Sequence, residues 1–224
     1  LPKAPESAVL LEIMKKSYDL LMAHPINKTR IAKGKRPANS LWFWGEGRKP
    51  GLSDFYDTYG LKGAVVSAVD LVKGLGICAN MKVINVDGAT GNIDTNFTGK
   101  KDASVDFLKS GGDFVYLHME APDECGHRHE IGNKVKSIEL IDKLVVGPLC
   151  EELGKIDDFK MLIMPDHPTP LSLRTHTHDA VPYLIYDSRK DNKNPGLRYT
   201  EHCAKETGRY VAKGHELMKH FIED

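Results

Sequence analysis

The stretch "HMEAPDECGHRHE" (118–130) collects carboxylate and imidazole side chains directly after the apolar run "DFVYLHM". If a helix begins near Pro122, Asp123 and His127 stand at positions i and i+4 and share one helix face. A carboxylate oxygen and an imidazole nitrogen on one face can bind a single metal cation. The alternative is a polar loop between a strand and a helix with Asp123 as a capping residue, and this stretch alone leaves both open.

Two later stretches carry the same residue types. "PDHPTP" contains the neighbours Asp166 and His167 and follows the apolar run "KMLIMP". Their side chains diverge in extended backbone, but a turn after a strand can direct both at one ion. "RTHTHDAVP" contains His176 and His178, which would share one face of a strand. Taken singly, each of these residues is more often a hydrogen-bonded loop residue than a ligand.

The elements that must position these clusters follow from hydrophobic periodicity. Short apolar runs bounded by turn residues predict buried strands at 82–86, 113–119, 160–165 and 181–186. Helical patterns cover 6–24, 61–76, 99–110, 133–153 and 200–222, although 63–67 could instead form a short strand. Alternating strands and helices predict the α/β class, with a largely parallel sheet covered by helices on both faces.

The strongest argument for a shared site is that the three Asp and His clusters are predicted to lie near the same edge of the sheet. Ligands of such sheets bind outside the carboxyl ends of the strands, and two of the clusters follow predicted strands directly. The third cluster precedes its strand, so its location is the least certain. Mixed carboxylate and imidazole donors suit Mn²⁺ or Zn²⁺. The donors outnumber the three that a catalytic zinc usually takes from protein, which suggests two metals, and paired metals serve phosphoryl chemistry.

Composition excludes several classes of function. The 31 basic and 31 acidic residues cancel, which argues against nucleic-acid binding. No apolar run is long enough for a membrane span, and the first residues lack a signal-peptide pattern. Four cysteines without a CxxC pair suit reduced thiols. We expect a cytoplasmic protein with one domain over 1–224, which includes a long irregular segment at 24–60 rich in Pro, Gly and cations.

Six stretches carry a resemblance to a known family: "ANSLWFWGEGRKP", "YGLKGAVVSAVDLVKGLG", "VDGATGNIDTN", "DFVYLHMEAPDECGH", "MLIMPDHPTP" and "RTHTHDAVP". In this order they resemble the carboxy-terminal half of the archaeal-type, cofactor-independent phosphoglycerate mutases of the alkaline phosphatase superfamily. The resemblance implies a three-layer sandwich with a mostly parallel central sheet. It also implies two divalent metal ions, usually manganese with zinc or magnesium as alternatives, and a small phosphorylated substrate, phosphoglycerate.

The motifs of the family also imply a distribution of ligands. Asp123, His127 and His176 correspond to the ligands of one metal, and Asp166 with His167 corresponds to those of the other. We therefore expect these five residues to form the protein side of the metal centre.

Other residues are assigned by the same motifs. His176 is preferred over His178, because the family pattern reads His-Thr-x-Asp-Pro-Val-Pro and His178 stands at the variable position. Lys73 resembles a lysine that contacts the phosphoryl group, with a helix-surface lysine as the alternative. This sequence departs from the family at Ala180, where proline is usual, and at His129, which could add an unrelated donor.

The family's serine nucleophile and one aspartate ligand belong to an amino-terminal segment that has no counterpart in this sequence. Ser40, Ser67 and Ser172 do not lie in a Gly-Ser turn before a helix, so we do not expect any of them to replace it. We expect this chain to be a fragment whose partner is that segment, and to be inactive alone.

These observations lead to one hypothesis and two rivals. The hypothesis is a metal-dependent mutase that interconverts 3-phosphoglycerate and 2-phosphoglycerate through a phosphoserine. The first rival is a related phosphotransferase, homoserine-kinase-like, or a phosphatase, although a GxxxxGK[ST] nucleotide loop is absent from the sequence. The second rival is a metal-stabilised structural domain with a vestigial site.

Overall fold

A computed structural model describes residues 3–43, 45, 47–190 and 196–223. The chain groups into two compact units, residues 1–50 and 51–224. The sequence predicted one domain over 1–224. That organisation stays a prediction.

The first unit is a pair of helices and an extended stretch. Helix α1 spans Ala8–Ala23 after a 3₁₀ turn, and α2 spans Pro25–Ala32 with its proline in the first turn, where the missing N–H costs nothing. The buried Asn27 side chain donates to the carbonyls of Leu21 and Ala38, each at 2.7 Å, and accepts from the Ala38 N–H at 3.0 Å. These bonds tie the extended stretch to both helices.

The segment 24–60, expected to be irregular, is only partly so. It contains α2 and a short helix α3 at Phe55–Tyr59, which Asp54 caps by accepting from the N–H groups of Tyr56 and Asp57. Trp44, one of the two tryptophans in this segment, lies outside the described residues.

The second unit holds the remaining helices: α4 Asp70–Cys78, α5 Phe97–Lys109, α6 Ala121–His127, α7 Ile131–Ile141, α8 Gly147–Leu153, α9 Glu201–Glu206 and α10 Leu217–Glu223. The helix predicted at 133–153 is formed by α7 and α8, which a π turn at Asp142–Val146 joins. The prediction of one continuous helix at 200–222 is wrong, because α9 and α10 are separate helices. The helical pattern is interrupted because Gly208 adopts a positive φ of 67° and a 3₁₀ turn at Gly214–Glu216 precedes α10.

A parallel sheet forms the centre of this unit. Its strands are β1 Gly63–Val66, β2 Lys82–Ile84 and β3 Phe114–Leu117, in the order β2-β1-β3. Residues 63–66 are therefore a strand, the alternative that the sequence left open, and α4 begins only at Asp70. Helix α4 contacts β1 and β2, whereas α5 contacts β1 and β3. The α/β class with a parallel sheet flanked by helices is confirmed.

The last two strands differ from the parallel arrangement predicted. Strand β4 spans Lys160–Ile163 and β5 spans Leu184–Asp187, and they pair antiparallel with Ile163 opposite Leu184. The physical reason is the connection between them, which contains no helix that could carry the chain back for a parallel crossover.

The buried core lies beside the parallel sheet. Phe97, Val105, Ala121, Val145 and Leu149 form one cluster of buried side chains contributed by α5, α6, the π turn and α8. Ala121 anchors α6 in this cluster, and α6 carries the first pair of predicted ligands.

Candidate metal centre

Helix α6 puts Asp123 and His127 on one face, as the helical interpretation of this stretch predicted. Pro122 lies in the first turn of α6, which suits a residue that lacks an N–H. Asp123 does not cap the helix, because the N-cap position is Glu120 and Asp123 follows inside the first turn. The His127 Nε2 atom lies 3.3 Å from Asp123 Oδ2.

The loop between β4 and β5 brings His176 to the same place. Its Nε2 atom is 3.3 Å from Asp123 Oδ1 and 3.0 Å from His127 Nε2. The antiparallel pairing explains the meeting, because the start of β5 lies beside the end of β4 at one edge. One ligand atom from each of Asp123, His127 and His176 lies within 4.8 Å of the others.

The tautomer of His127 follows from its other ring nitrogen. Nδ1 lies 3.0 Å from the Arg174 carbonyl oxygen, which only accepts, so Nδ1 carries the proton. In the neutral imidazole Nε2 is then the unprotonated atom, and it faces His176 Nε2 and the Asp123 carboxylate. Metal-binding histidines characteristically donate their second nitrogen in this way. Arg174 itself adopts a positive φ of 55°, which is uncommon for a residue with a side chain.

The second predicted pair lies next to the first group. His167 Nε2 is 3.4 Å from Asp166 Oδ2, and His167 Nδ1 is 4.0 Å from Asp123 Oδ1. The rings of His167 and His176 are in contact, with centroids 3.8 Å apart. All five residues assigned by the family motifs are therefore gathered at one edge of the second unit.

This donor set fits a divalent cation. The two Nε2 atoms of His127 and His176 face each other at 3.0 Å, a distance at which two lone pairs repel unless a proton or a cation lies between them. The carboxylate of Asp123 supplies a negative charge on the same side. Asp166 is more than half exposed, with 59% of its side-chain surface accessible, so this carboxylate faces solvent.

A second layer of polar groups, which the sequence did not reveal, stands behind the site. His118 follows β3, and its Nδ1 lies 3.2 Å from the buried Ser67 hydroxyl while its Nε2 lies 3.3 Å from Glu120 Oε2. Burial lowers the pKa of His118, and burial followed by the charge of Asp123 raises the pKa of Glu120. A neutral imidazole can donate to Glu120 and accept from Ser67 at once.

Lys100 is the largest fully buried side chain among the described residues. Its ammonium group donates to the carbonyls of Thr90 at 3.4 Å and His118 at 3.5 Å. Burial lowers the pKa of Lys100, and the Glu120 carboxylate opposes that effect. Lys100 thus links the loop that begins after β2 to the end of β3. No sequence pattern distinguished it from the surface lysines.

The remaining candidates lie outside this group. His178 is exposed, and its side chain forms no hydrogen bond or ion pair within the described part of the chain. His129 Nδ1 is 2.6 Å from the Leu171 carbonyl, so it holds the loop after β4. Lys73, in α4, has its Nζ atom 3.4 Å from Asp70 Oδ1.

A family model described as "Metalloenzyme superfamily" matches residues 10–222. The chain belongs to the metalloenzyme superfamily, the class that its α/β fold and its carboxylate and imidazole donors indicate.

Curated proteins similar to this chain point to a smaller group within the metalloenzyme superfamily. A protein of Geobacter sulfurreducens named "Probable 2,3-bisphosphoglycerate-independent phosphoglycerate mutase" is 45% identical over 224 residues, which is 100% of this chain and 56% of that protein. The 2,3-bisphosphoglycerate-independent phosphoglycerate mutase of Methanothrix thermoacetophila is 44% identical, over 99% of this chain and 56% of that protein. The chain thus spans about half the length of the curated relatives it matches. The resemblance to these mutases is confirmed.

Two solved structures share the fold. The PH0037 protein from Pyrococcus horikoshii is 33% identical with a TM-score of 0.74, and the match covers 90% of this chain and 53% of the PH0037 chain. The cofactor-independent phosphoglycerate mutase from Thermoplasma acidophilum has a TM-score of 0.56 at 22% identity, covering 100% of this chain and 54% of its own, and shows likeness of fold alone.

Proposed function

We propose that this chain forms the metal-binding part of a phosphoglycerate mutase that interconverts 3-phosphoglycerate and 2-phosphoglycerate. The observation that carries the proposal is the convergence of Asp123, His127 and His176 with the Asp166–His167 pair at one edge of the second unit. The names of the relatives supply the reaction.

The proposed cofactors are two divalent cations, manganese first, with zinc and magnesium as alternatives. Asp123, His127 and His176 would hold one, and Asp166 with His167 would hold the other. When bound, such a pair neutralises the charge of a transferring phosphoryl group and lowers the pKa of an attacking hydroxyl. The pair Asp166–His167 offers fewer donors than the first group, so we propose that further ligands come from the rest of the longer protein.

The residues of this chain have roles that do not depend on which cation binds. The Arg174 carbonyl accepts from His127 Nδ1, so in the neutral imidazole Nε2 is the atom available to a cation. Lys73 is the proposed contact to the phosphoryl group, where its ammonium charge would attract an anionic oxygen. The serine nucleophile, and with it the phosphoserine, would belong to the amino-terminal segment of the longer protein, which is the proposed partner of this chain.

A chimera tests the proposal. The part of the Methanothrix mutase that this chain does not match is fused ahead of it, and conversion of 3-phosphoglycerate to 2-phosphoglycerate is measured with Mn²⁺. We expect turnover, which Asp123→Asn and Asp166→Asn each abolish, whereas His178→Gln leaves the rate unchanged because its side chain lies outside the cluster. A folded chimera that binds Mn²⁺ but does not isomerise phosphoglycerate would refute the mutase assignment.

Two parallel assays separate the rivals. Phosphorylation of homoserine by ATP, or release of inorganic phosphate from phosphate esters, would identify a related phosphotransferase or a phosphatase instead. Mutase turnover that Asp166→Asn leaves intact would identify a vestigial metal site.

The cytoplasmic location and the absence of a nucleic-acid partner remain predictions from the sequence. Within the described residues the structure contains no helix that is long and apolar enough to cross a membrane.

A further inference from the structure

Thr169 lies between the two proposed metal half-sites. Its side chain is buried, with 5% of the residue exposed, in the loop that follows β4. The hydroxyl donates to Asp123 Oδ1 in one direction and lies 3.4 Å from His167 Nδ1 in the other. Asp123 belongs to the first half-site and His167 to the second.

The directions of these two hydrogen bonds follow from counting protons. A hydroxyl has one proton to donate, and the ionised carboxylate of Asp123 can only accept it. A hydrogen bond between the Thr169 oxygen and His167 therefore needs a proton on Nδ1, and in the neutral ring this assigns the only ring N–H to Nδ1. Nε2 is then an acceptor that faces the Asp166 carboxylate at 3.4 Å, an arrangement that a cation between the two would satisfy.

The main chain of Thr169 is fixed independently of its hydroxyl. Lys134 Nζ, from α7, donates to the Thr169 carbonyl at 2.9 Å. Gly126, in α6, allows this close approach, since a Cβ atom at that position would lie 2.6 Å from the same carbonyl oxygen. The threonine main chain thus lies against α6, which carries Asp123 and His127, and is bound by Lys134 of α7.

We propose that Thr169 is a positioning residue that couples the two half-sites. One hydroxyl orients the Asp123 carboxylate and at the same time selects the tautomer of His167 that can bind a cation through Nε2. Without the hydroxyl, His167 Nδ1 and Asp123 Oδ1 are 4.0 Å apart, too far for a direct hydrogen bond. The inference rests on the metal centre of the proposed function, and not on the identity of the substrate.

The test reads the tautomer directly. Long-range ¹H–¹⁵N spectra of the metal-free chain report which ring nitrogen of each histidine is protonated, and a His167→Gln variant assigns the signal. We expect His167 to be protonated on Nδ1 in the wild type and in Thr169→Ser, and to move toward the Nε2-protonated form in Thr169→Val. Thr58→Val, in α3, is the control for loss of a threonine hydroxyl. It removes the hydrogen bond from that hydroxyl to the Asp54 carbonyl and should not change the tautomer of His167.

Binding of Mn²⁺ to the same proteins supplies the second measurement. Loss of a hydrogen bond behind a metal ligand typically weakens metal binding by about 10- to 100-fold. We expect that loss in Thr169→Val and recovery in Thr169→Ser. An Nε2-protonated His167 in the wild type, or a Thr169→Val variant that keeps both its tautomer and its affinity, would overturn the proposal. If the wild type has the expected tautomer but fails to bind Mn²⁺, Thr169 retains its role and the proposed metal centre is what fails.

Discussion

Arg174 contributes to the candidate metal centre through its backbone and not through its guanidinium group. Its carbonyl accepts from His127 Nδ1, and its φ of 55° turns that carbonyl toward the imidazole. A positive φ costs free energy in a residue with a side chain, and such costs tend to occur where function requires a particular geometry. At the scale of single residues, the proposed ligands are thus contacted by groups that are not ligands themselves, the Arg174 carbonyl and the Thr169 hydroxyl.

Asp187, at the end of β5, gives a residue-scale prediction about pH. Its buried carboxylate accepts from Arg189 Nε at 2.8 Å and Nη2 at 2.7 Å, and these bonds hold the pKa of Asp187 well below its usual range. A carboxyl whose pKa is lower in the folded state contributes stability that is complete above its unfolded pKa of about 4 and is lost as pH falls below that value. The expected result is a loss of stability in acid that Asp187→Asn reduces.

Urea unfolding over a series of acidic pH values measures this effect. Arg189→Gln should flatten the profile only in part, because the backbone N–H of residue 189 and Lys190 still contact the carboxylate. The double variant should add nothing to the effect of Asp187→Asn. Parallel profiles for the wild type and Asp187→Asn below pH ~4 would contradict the assignment.

At the scale of elements, the antiparallel pairing of β4 and β5 assembles the centre. The connection between these strands leaves and returns at one edge, so Asp166, His167 and His176 reach the same place although they precede and follow different strands. Tyr199 reinforces this edge, because its hydroxyl contacts the carbonyls of Ile163 at 3.2 Å and Pro182 at 3.1 Å. Burial raises the pKa of Tyr199 to about 12, so this hydroxyl keeps its proton.

Helix α4 gives an element-scale prediction with an internal control. A Cβ atom on Gly76 would lie 2.6 Å from Val65 Cγ2 in the buried strand β1, whereas one on Gly74 would meet nothing within 4 Å. We expect Gly76→Ala to destabilise the chain by about 1–3 kcal/mol through overpacking. Gly74→Ala should stabilise it by roughly 0.5–1 kcal/mol, because alanine loses less backbone freedom in a helix.

Thermal or urea unfolding of the two variants checks this pair. Equal effects of the two substitutions would show that α4 does not pack on β1 through Gly76. The comparison is sharp because both changes add one methyl group to the same helix.

At the scale of the whole molecule, all the candidate site residues of this chain lie in the second unit. The five proposed ligands, Thr169, Lys134 and Arg174 all belong to residues 51–224. We therefore expect a protein of residues 51–224 to fold and to bind Mn²⁺ with the affinity of the whole chain. Circular dichroism and Mn²⁺ titration of both proteins measure this, and a folded 51–224 with weakened binding would show that residues 1–50 support the centre.

The sequence by itself determined the α/β class and the places of most strands, because a buried strand and an amphipathic helix leave different hydrophobic periods. It also predicted the five candidate ligands, which the family resemblance selected from Asp and His clusters near the predicted strand ends. The predictions from the sequence are wrong where hydrophobic periodicity does not show that a helix ends. The single helix predicted at 200–222 fails at Gly208, where a positive backbone φ interrupts a continuous helical pattern.

The tertiary structure alone decided how the candidates meet and what orients them. Strand direction depends on the path of the connection, so the antiparallel pairing that brings His176 to Asp123 had no local signal. Thr169 and Lys100 are ordinary residues in the sequence, and they become informative only through partners 46 and 18 residues away. Hydrogen bonds between such distant residues arise from packing, which a one-dimensional pattern does not record.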